Sequence, residues 1–319
     1  MHSGNQRGAR VARRGVHGVL LLDKPLHLSS TQALGRVKWL LRAEKGGHTG
    51  TLDPLATGLL PLCFGAATKF SQMHLDADKA YEAVLKLGQT TTTGDAEGEV
   101  LQQREVPRLT AQDLAAVAQR FTGEIDQVPP MYSALKQDGK PLYAYARAGE
   151  TRERAARRIR IDALELTPGD EPSVVKLRVR CSKGTYVRTL GEDIGHALGC
   201  GAHLTALRRV ATGPFSIDQC ISLDALEAMS ESARLAALHG ADILLPQDAA
   251  IVLDNAEAGK FLSGLRRRGD WPDAELVAVW GDRPRALLGS AHVKAGELIP
   301  TRLLSPIEVE QTLLQGQFV

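Results

Sequence analysis

The chain has 319 residues, 43% hydrophobic and 24% charged, with a formal net charge of +2. That length exceeds one typical domain and that apolar content fills a sizeable core, so a large domain with a small companion is expected. No apolar run reaches membrane-spanning length, Cys63, Cys181, Cys200 and Cys220 form no CxxC pair, and the N-terminus lacks the apolar segment of a secretory signal, so a cytoplasmic protein with no metal site or disulfide framework is expected.

Residues 1–14 are polar, Gly-containing and Arg-rich, the composition of a disordered basic tail. A first strand is predicted at Val16–Leu22. Ser29 or Ser30 can cap a helix in which Ala33, Val37, Leu40 and Leu41 share a face, running to about Gly46-Gly47. Tyr81–Leu87 alternates as a strand, and Thr110–Phe121 reads as a capped helix. Val175, Leu177, Val179 and Cys181 share one strand face opposite Lys176, Arg178 and Arg180. Mixed elements without regular βαβ alternation predict an α+β domain over residues 15–245.

Within it, Pro129–Arg158 has few apolar positions at any period and reads as a long functional loop. A helical stretch from about Ser222 to His239 follows. Leu245-Pro246 then opens a segment, 246–319, with a short helix ending near Gly264 and apolar runs at Leu276–Trp280, Arg285–Gly289 and Leu298–Leu304, which predicts a small, mainly β domain.

Net charge makes no case for nucleic acid, because the first 14 residues alone supply four Arg and no acid. The distribution says more: Lys136–Arg160 holds eight Lys/Arg against three acids, and Arg178–Arg209 six against two. Such patches are either solvated faces or the footprint of a polyanion.

The densest chemistry is Gly46-Gly47-His48-Thr49-Gly50-Thr51-Leu52-Asp53-Pro54-Leu55-Ala56-Thr57-Gly58. Its glycines and threonines make a tight loop, and Asp53-Pro54 opens a turn or short helix with Asp at the cap and Pro at the first helical position. On that ground Asp53 is a cap and His48 a turn histidine; an exposed carboxylate in such a loop is also a candidate for chemistry.

The loop resembles the catalytic motif of TruB-type pseudouridine synthases, with Asp53 in the place of the essential aspartate. Further motifs follow in the family's order: Asp23-Lys24-Pro25 with Ser29-Ser30-Thr31, Lys79-Ala80-Tyr81, Thr93-Gly94-Asp95-Ala96-Glu97-Gly98, Val128-Pro129-Pro130-Met131-Tyr132-Ser133-Ala134, Lys183-Gly184-Thr185-Tyr186-Val187-Arg188-Thr189-Leu190, and His203-Leu204 leading to Leu207-Arg208-Arg209. Each is weak alone; their ordered co-occurrence over residues 16–215 is specific. One departure stands out, because the family has Gly two residues after the Asp-Lys-Pro motif where this chain has His27. A left-handed backbone there is strained for His.

The resemblance implies a catalytic domain with a mixed, mainly antiparallel sheet, a thumb-like insertion at about 129–158 and a PUA-like RNA-binding domain over 246–319. It implies isomerisation of uridine-55 in the T-arm loop of tRNA to pseudouridine, without cofactor or metal. Asp53, Tyr81 and Arg188 take the catalytic places. Arg188 holds the aspartate ionised, Tyr81 stacks on the target base and Leu207 lines its pocket. His48 fills the place the flipped base leaves, and Asp95 is linked to that rearrangement. Lys24 and the thumb residues Lys136, Lys140 and Arg147 fall among the substrate-binding positions. The partner implied is the tRNA T-arm alone, bound by a monomer with no guide RNA, protein partner or membrane. Two alternatives share the signals: a guide-RNA-dependent synthase of the dyskerin type, and a non-catalytic RNA-binding or RNA-folding protein.

Overall fold

The computed structural model describes residues 12–316. The strands of the larger sheet, in chain order, are β1 (Gly18–Lys24), β2 (Gly46–His48), β3 (Ala56–Phe64), β4 (Lys79–Leu87), β5 (Gly123–Gln127), β6 (Arg157–Pro168), β7 (Val174–Cys181), β8 (Ala202–Thr212), β9 (Phe215–Ser216) and β10 (Ile221–Ser222). Their spatial order is β10-β1-β3-β8-β4-β7-β6-β5, with β2 on β3 and β9 on β8. Only β1 with β10 and β3 with β8 run parallel; every other pair is antiparallel. The class is α+β with a mixed, mainly antiparallel sheet, as the lack of βαβ alternation predicts.

Local pattern decides most of these elements. β1 is nearly all apolar because both its faces are covered, whereas β7 alternates, with Val175, Leu177, Val179 and Cys181 buried and Lys176, Arg178 and Arg180 exposed. Helix α1 (Ser30–Leu40) starts at a capping box between Ser29 and Gln32 and buries Ala33, Val37 and Leu40. Helix α2 (Ala111–Arg120) starts at the equivalent box between Thr110 and Asp113. Helix α3 (Val187–Ala197) packs on β8 and delivers Arg188 in its first turn.

The small domain is a five-stranded sheet of the PUA-like kind, made of β11 (Ala250–Leu253), β12 (Arg267–Arg268), β13 (Ala274–Gly281), β14 (Ala286–Lys294) and β15 (Glu297–Leu303) in the order β11-β13-β14-β15-β12. It is not a loosely tethered module. Trp280, Leu287 and Leu304 share one buried cluster with Val19, Leu21, Leu59 and Phe70 of the large domain. A final helix, α4 (Pro306–Leu314), leans back on the first strand region, where Gln311 bonds the His17 ring at 2.8 Å.

Four expectations change. The helix predicted to reach Gly46-Gly47 stops at Leu40, because Arg42 turns left-handed (φ 53°) and the glycines pair with Phe64 and Cys63 as β2. The stretch 222–239 divides into Leu223–Ala228 and Glu231–Ala236, since Ser230 caps a new helix by accepting from Ala233 N. The long loop is partly ordered: Asp138-Gly139 closes a two-residue hairpin between Lys136–Gln137 and Lys140–Pro141, a helix follows at Leu142–Arg147, and Arg157 already belongs to β6. The predicted basic tail lies mostly outside the described residues, and at its end Arg14 bridges to Ala43 through backbone hydrogen bonds with Arg42 and Glu44.

Candidate active site

The Asp53 loop is pinned from two sides. Ser30 Oγ accepts from Leu52 N at 2.7 Å and donates to Leu52 O at 3.0 Å, tying the start of α1 to the residue before the aspartate. His27 N donates to Pro54 O at 2.9 Å. His27 is indeed left-handed, with φ 68°, a conformation that costs a non-glycine residue about 1 kcal/mol. Asp53-Pro54 forms a turn, closed by Ala56 N donating to Asp53 O at 3.0 Å, and β3 begins there without an intervening helix. Asp53 therefore caps nothing, and its side chain is free to face α3.

There it meets Arg188, whose Nε lies 3.0 Å from Asp53 Oδ2 and 3.6 Å from Asp95 Oδ2. The remaining guanidinium nitrogens donate to Thr93 O at 2.9 Å and Tyr132 O at 2.6 Å. A buried arginine held by three acceptors within hydrogen-bond reach and flanked by Asp95 has one orientation, which aims the Asp53 carboxylate. Asp95 is itself buried and held by the Thr93 hydroxyl at 2.5 Å and Glu97 N at 3.1 Å, so it serves the arginine rather than the solvent. Burial raises the Asp53 pKa; Arg188 opposes this and Asp95 adds to it. Glu192, one helical turn after Arg188, is pushed up to about 7 by burial and by Asp193.

The strands carry the other expected site residues. Leu207 stands opposite Ala56 on one side and Ala83 on the other, and Tyr81 stands opposite Arg209 and Val179. Tyr81 packs against the main core, and burial raises its phenol pKa. His48, at the end of β2, has a lowered pKa from burial first and from Arg209 second, with a buried Nδ1 that finds no hydrogen-bond partner. The structure thus gathers Asp53, Arg188, Asp95, Tyr81 and Leu207 around one end of β3, β4 and β8, while His48 stands farther along β3, opposite Leu62.

Lys24, expected among substrate-binding residues, has a wholly buried side chain whose ammonium donates to Pro25 O at 2.8 Å and Leu28 O at 2.6 Å. It shapes the His27 loop that seats the Asp53-Pro54 turn, and burial lowers its pKa to about 8. The thumb lysines stand apart from the carboxylate. Lys136, Lys140 and Arg147 are all exposed, with Lys140 over the Tyr145 ring at 4.4 Å and Arg147 over Tyr143 at 5.4 Å. The root of this segment is nonetheless coupled to the site, because Tyr132 O accepts from Arg188 and the Gln127 amide clamps Tyr186 N and O at 2.8 and 3.1 Å.

Two residues of the site escaped the sequence reading. Arg209 is buried beneath the loop, although a strand with Leu207 facing inward must also turn residue 209 inward. Ser30 reads as a cap in the sequence but spends its hydroxyl on Leu52, leaving Ser29 to cap.

A carboxylate braced by a buried arginine, beside a tyrosine and an apolar wall on a mixed sheet, defines the class of pseudouridine synthases. The family model described as TruB family pseudouridylate synthase (N terminal domain) matches residues 38–187, and the tRNA pseudouridylate synthase B C-terminal domain matches 188–252. The chain belongs to the TruB family. It is 60% identical over 95% of its length to the tRNA pseudouridine synthase B of Verminephrobacter eiseniae, 93% of which is covered. It is 57% identical over 93% of its length to that of Cupriavidus metallidurans, 97% of which is covered. Among solved structures, a chain of a Cbf5-Nop10-Gar1 complex superposes with a TM-score of 0.67 at 25% identity, covering 92% of this chain and 87% of that one. A chain of an H/ACA RNP bound to a substrate RNA containing 2'-deoxyuridine gives the same TM-score at 23% identity, covering 91% and 86%.

Proposed function

We propose that this chain converts uridine-55 of the tRNA T-arm loop to pseudouridine, flipping the base into the site and using the Asp53 carboxylate for the chemistry. The observation that carries this is the Asp53–Arg188 pair, a half-exposed carboxylate held by a buried guanidinium whose two Nη atoms donate to the Thr93 and Tyr132 carbonyls. The reaction breaks the N1–C1′ bond, turns the uracil and joins C5 to C1′; the C5 proton leaves and N1 gains one, so nothing is oxidised or hydrolysed. A carboxylate poised at C1′ is suited to this, either stabilising an oxocarbenium-like centre, attacking it, or taking a ribose proton. Leu207 and Tyr81 supply an apolar, stackable slot for the base, and His48, at the end of the strand that leads into the Asp53 loop, is suited to fill the place the flipped base leaves.

The exposed cations of the thumb, 129–158, are suited to phosphates of the T stem, and the PUA-like domain, 246–319, to RNA beyond the loop. The chain works as a monomer in the cytoplasm, needing no guide RNA or protein partner. Incubation of the purified chain with a bare T-arm stem-loop tests this, with pseudouridine mapped by chemical derivatisation. Product at the single loop uridine is expected. Turnover only when partner proteins or a guide RNA are added supports the dyskerin-type alternative, and tight binding without product supports the non-catalytic one.

A further inference from the structure

Arg209 lies inside the site, yet nothing in the chemistry above uses it. Its side chain is 1% exposed. The adjacent Arg208 turns outward and pairs with Asp23 at 2.7 Å, but Arg209 meets only neutral groups among its described partners. Its Nε donates to Leu59 O in β3 at 2.8 Å, one Nη approaches Gly50 O in the Asp53 loop at 3.4 Å, and on the other flank it stands opposite Tyr81, where its charge opposes the rise that burial gives the phenol pKa. The sheet register demands this convergence, because Arg209 stands opposite Gly58 on one flank and Tyr81 on the other. The loop sits close: a Cβ on Gly50, whose φ is +86°, would come 3.3 Å from the guanidinium.

A buried guanidinium without a carboxylate is costly, and an apolar side chain of similar volume would fill the same space more cheaply. Two more cations lie buried nearby, Lys24 and Lys79, each turned onto backbone carbonyls, and burial lowers both ammonium pKa values to about 8, with Arg209 adding to the effect. Only arginine stays charged in such surroundings and offers donors in three directions at once.

We propose that Arg209 is a positioning residue, whose single guanidinium holds the Gly50 end of the Asp53 loop, the start of β3 and the Tyr81 phenol in one fixed geometry, so that a flipped uracil meets Asp53 and Tyr81 at a set separation. This rests on the roles given to Asp53 and Tyr81 above. It differs from a purely structural role in one respect: the effect of changing Arg209 must pass partly through the Tyr81 hydroxyl.

A double-mutant cycle reads that directly. Single-turnover rates on the T-arm stem-loop are measured for the wild type, Arg209→Lys, Tyr81→Phe and the double variant, beside melting curves and RNA affinities. Lysine cannot span three partners, so Arg209→Lys is expected to slow turnover at least about tenfold with RNA affinity within about threefold of the wild type. In the Tyr81→Phe background the same change is expected to slow turnover by less than about threefold. A full, undiminished loss in that background, or no loss in the wild-type background, overturns the proposal. A second measurement stands even where Arg209→Lys fails to fold: the guanidinium resonances of Arg209 are compared by NMR between the wild type and Tyr81→Phe, which keeps the ring and removes only the hydroxyl. A shift with faster exchange is expected, and identical resonances would overturn the phenol contact. Were the wild type itself to make no pseudouridine, the assigned activity would fail while the resonance comparison still decided the Arg209 contact.

Discussion

Replacing Asp53 by Asn removes one charge and almost no volume, and the structure allows its two consequences to be weighed separately. The first is stability. Stranding one partner of a buried ion pair costs roughly 3–5 kcal/mol. Arg188 is not stranded, since it keeps Thr93 O, Tyr132 O and the Asp95 carboxylate, and the Asp53 side chain is 39% exposed, so solvent screens much of the pair. An offset runs the other way. Burial and Asp95 raise the Asp53 pKa, so the folded state resists the charge; stability is lost as pH rises from the ordinary carboxylate range through the raised value, and Asn does not suffer that loss. The two leave a net change of about 1 kcal/mol or less, a shift in melting temperature of about 2–3 °C. The second consequence is chemical. Loss of a group acting on the reacting atoms costs upwards of about 10³-fold, equivalent to about 4 kcal/mol of barrier. The assay is single-turnover pseudouridine formation with enzyme in excess over a T-arm stem-loop, beside a melting curve, a binding isotherm and a mass spectrum that rules out deamidation to Asp. A folded, RNA-binding Asp53→Asn variant with a rate within tenfold of the wild type would refute the reasoning.

The thumb assignment predicts that Lys136→Gln with Lys140→Gln flattens the dependence of log affinity on log salt by about 1.5, two phosphate contacts' worth, and an unchanged slope places the RNA elsewhere. Glu192→Gln tests the pKa of about 7 on α3: the wild type loses stability as pH rises from 4.5 through 7, so the variant should melt higher at pH 8 and equally at pH 4, and an equal difference at both pH values counts against it. His48→Ala should lower turnover of a folded T arm while leaving the melting temperature within a few degrees, because its ring nitrogen Nδ1 holds no internal partner; full activity returns His48 to a turn residue. Truncation after Leu245 should give a chain that binds an exposed-apolar-surface dye and melts well below the full length, since it uncovers Val19, Leu21 and Leu59; an unchanged melting temperature would show that the shared cluster contributes little.

What the sequence made legible was whatever short-range physics decides. The two capped helix starts, the alternation of β7 and the buried stripe of α1 each depend on residues within a few positions, and each appears where it was read, with Ser29 rather than Ser30 as the first cap. The errors of extent have the same origin. Gly46-Gly47 reads as a helix stop, yet the pairing that makes those residues a strand comes from Cys63 and Phe64, which periodicity within α1 does not contain. The capping box of Ser305 and Glu308, with Pro306 at the first turn, was a local signal for α4 that went unread among the β patterns around it.

The site was legible only in part because its decisive contacts are long-range. Arg188 lies 95 residues from Thr93 and 56 from Tyr132, and the spacing of Asp53, Asp95 and Arg188 along the chain carries no trace of their meeting. The ordered motifs supplied that meeting by resemblance, whereas bottom-up chemistry treated Asp53 as a cap. The structure shows why capping fails: β3 must begin at Ala56 to place Leu207 opposite it, which leaves room for a turn but no helix. Lys24 shows a different case. Lysines are rarely buried, so a sequence gives no sign that this one lies inside, and here the Pro25 and Leu28 carbonyls take its ammonium in place of solvent. Arg209 joins both lessons. Period-2 alternation from Leu207 turns it inward, so its burial could be inferred from the strand alone, but the value of that burial depends on Gly50, Leu59 and Tyr81 arriving from three other segments. In a sheet where β3 and β8 run parallel while β4 runs antiparallel to β8, Leu207, Arg208 and Arg209 each face both neighbours, and it is Arg209 that approaches the Gly50 carbonyl while standing opposite Tyr81.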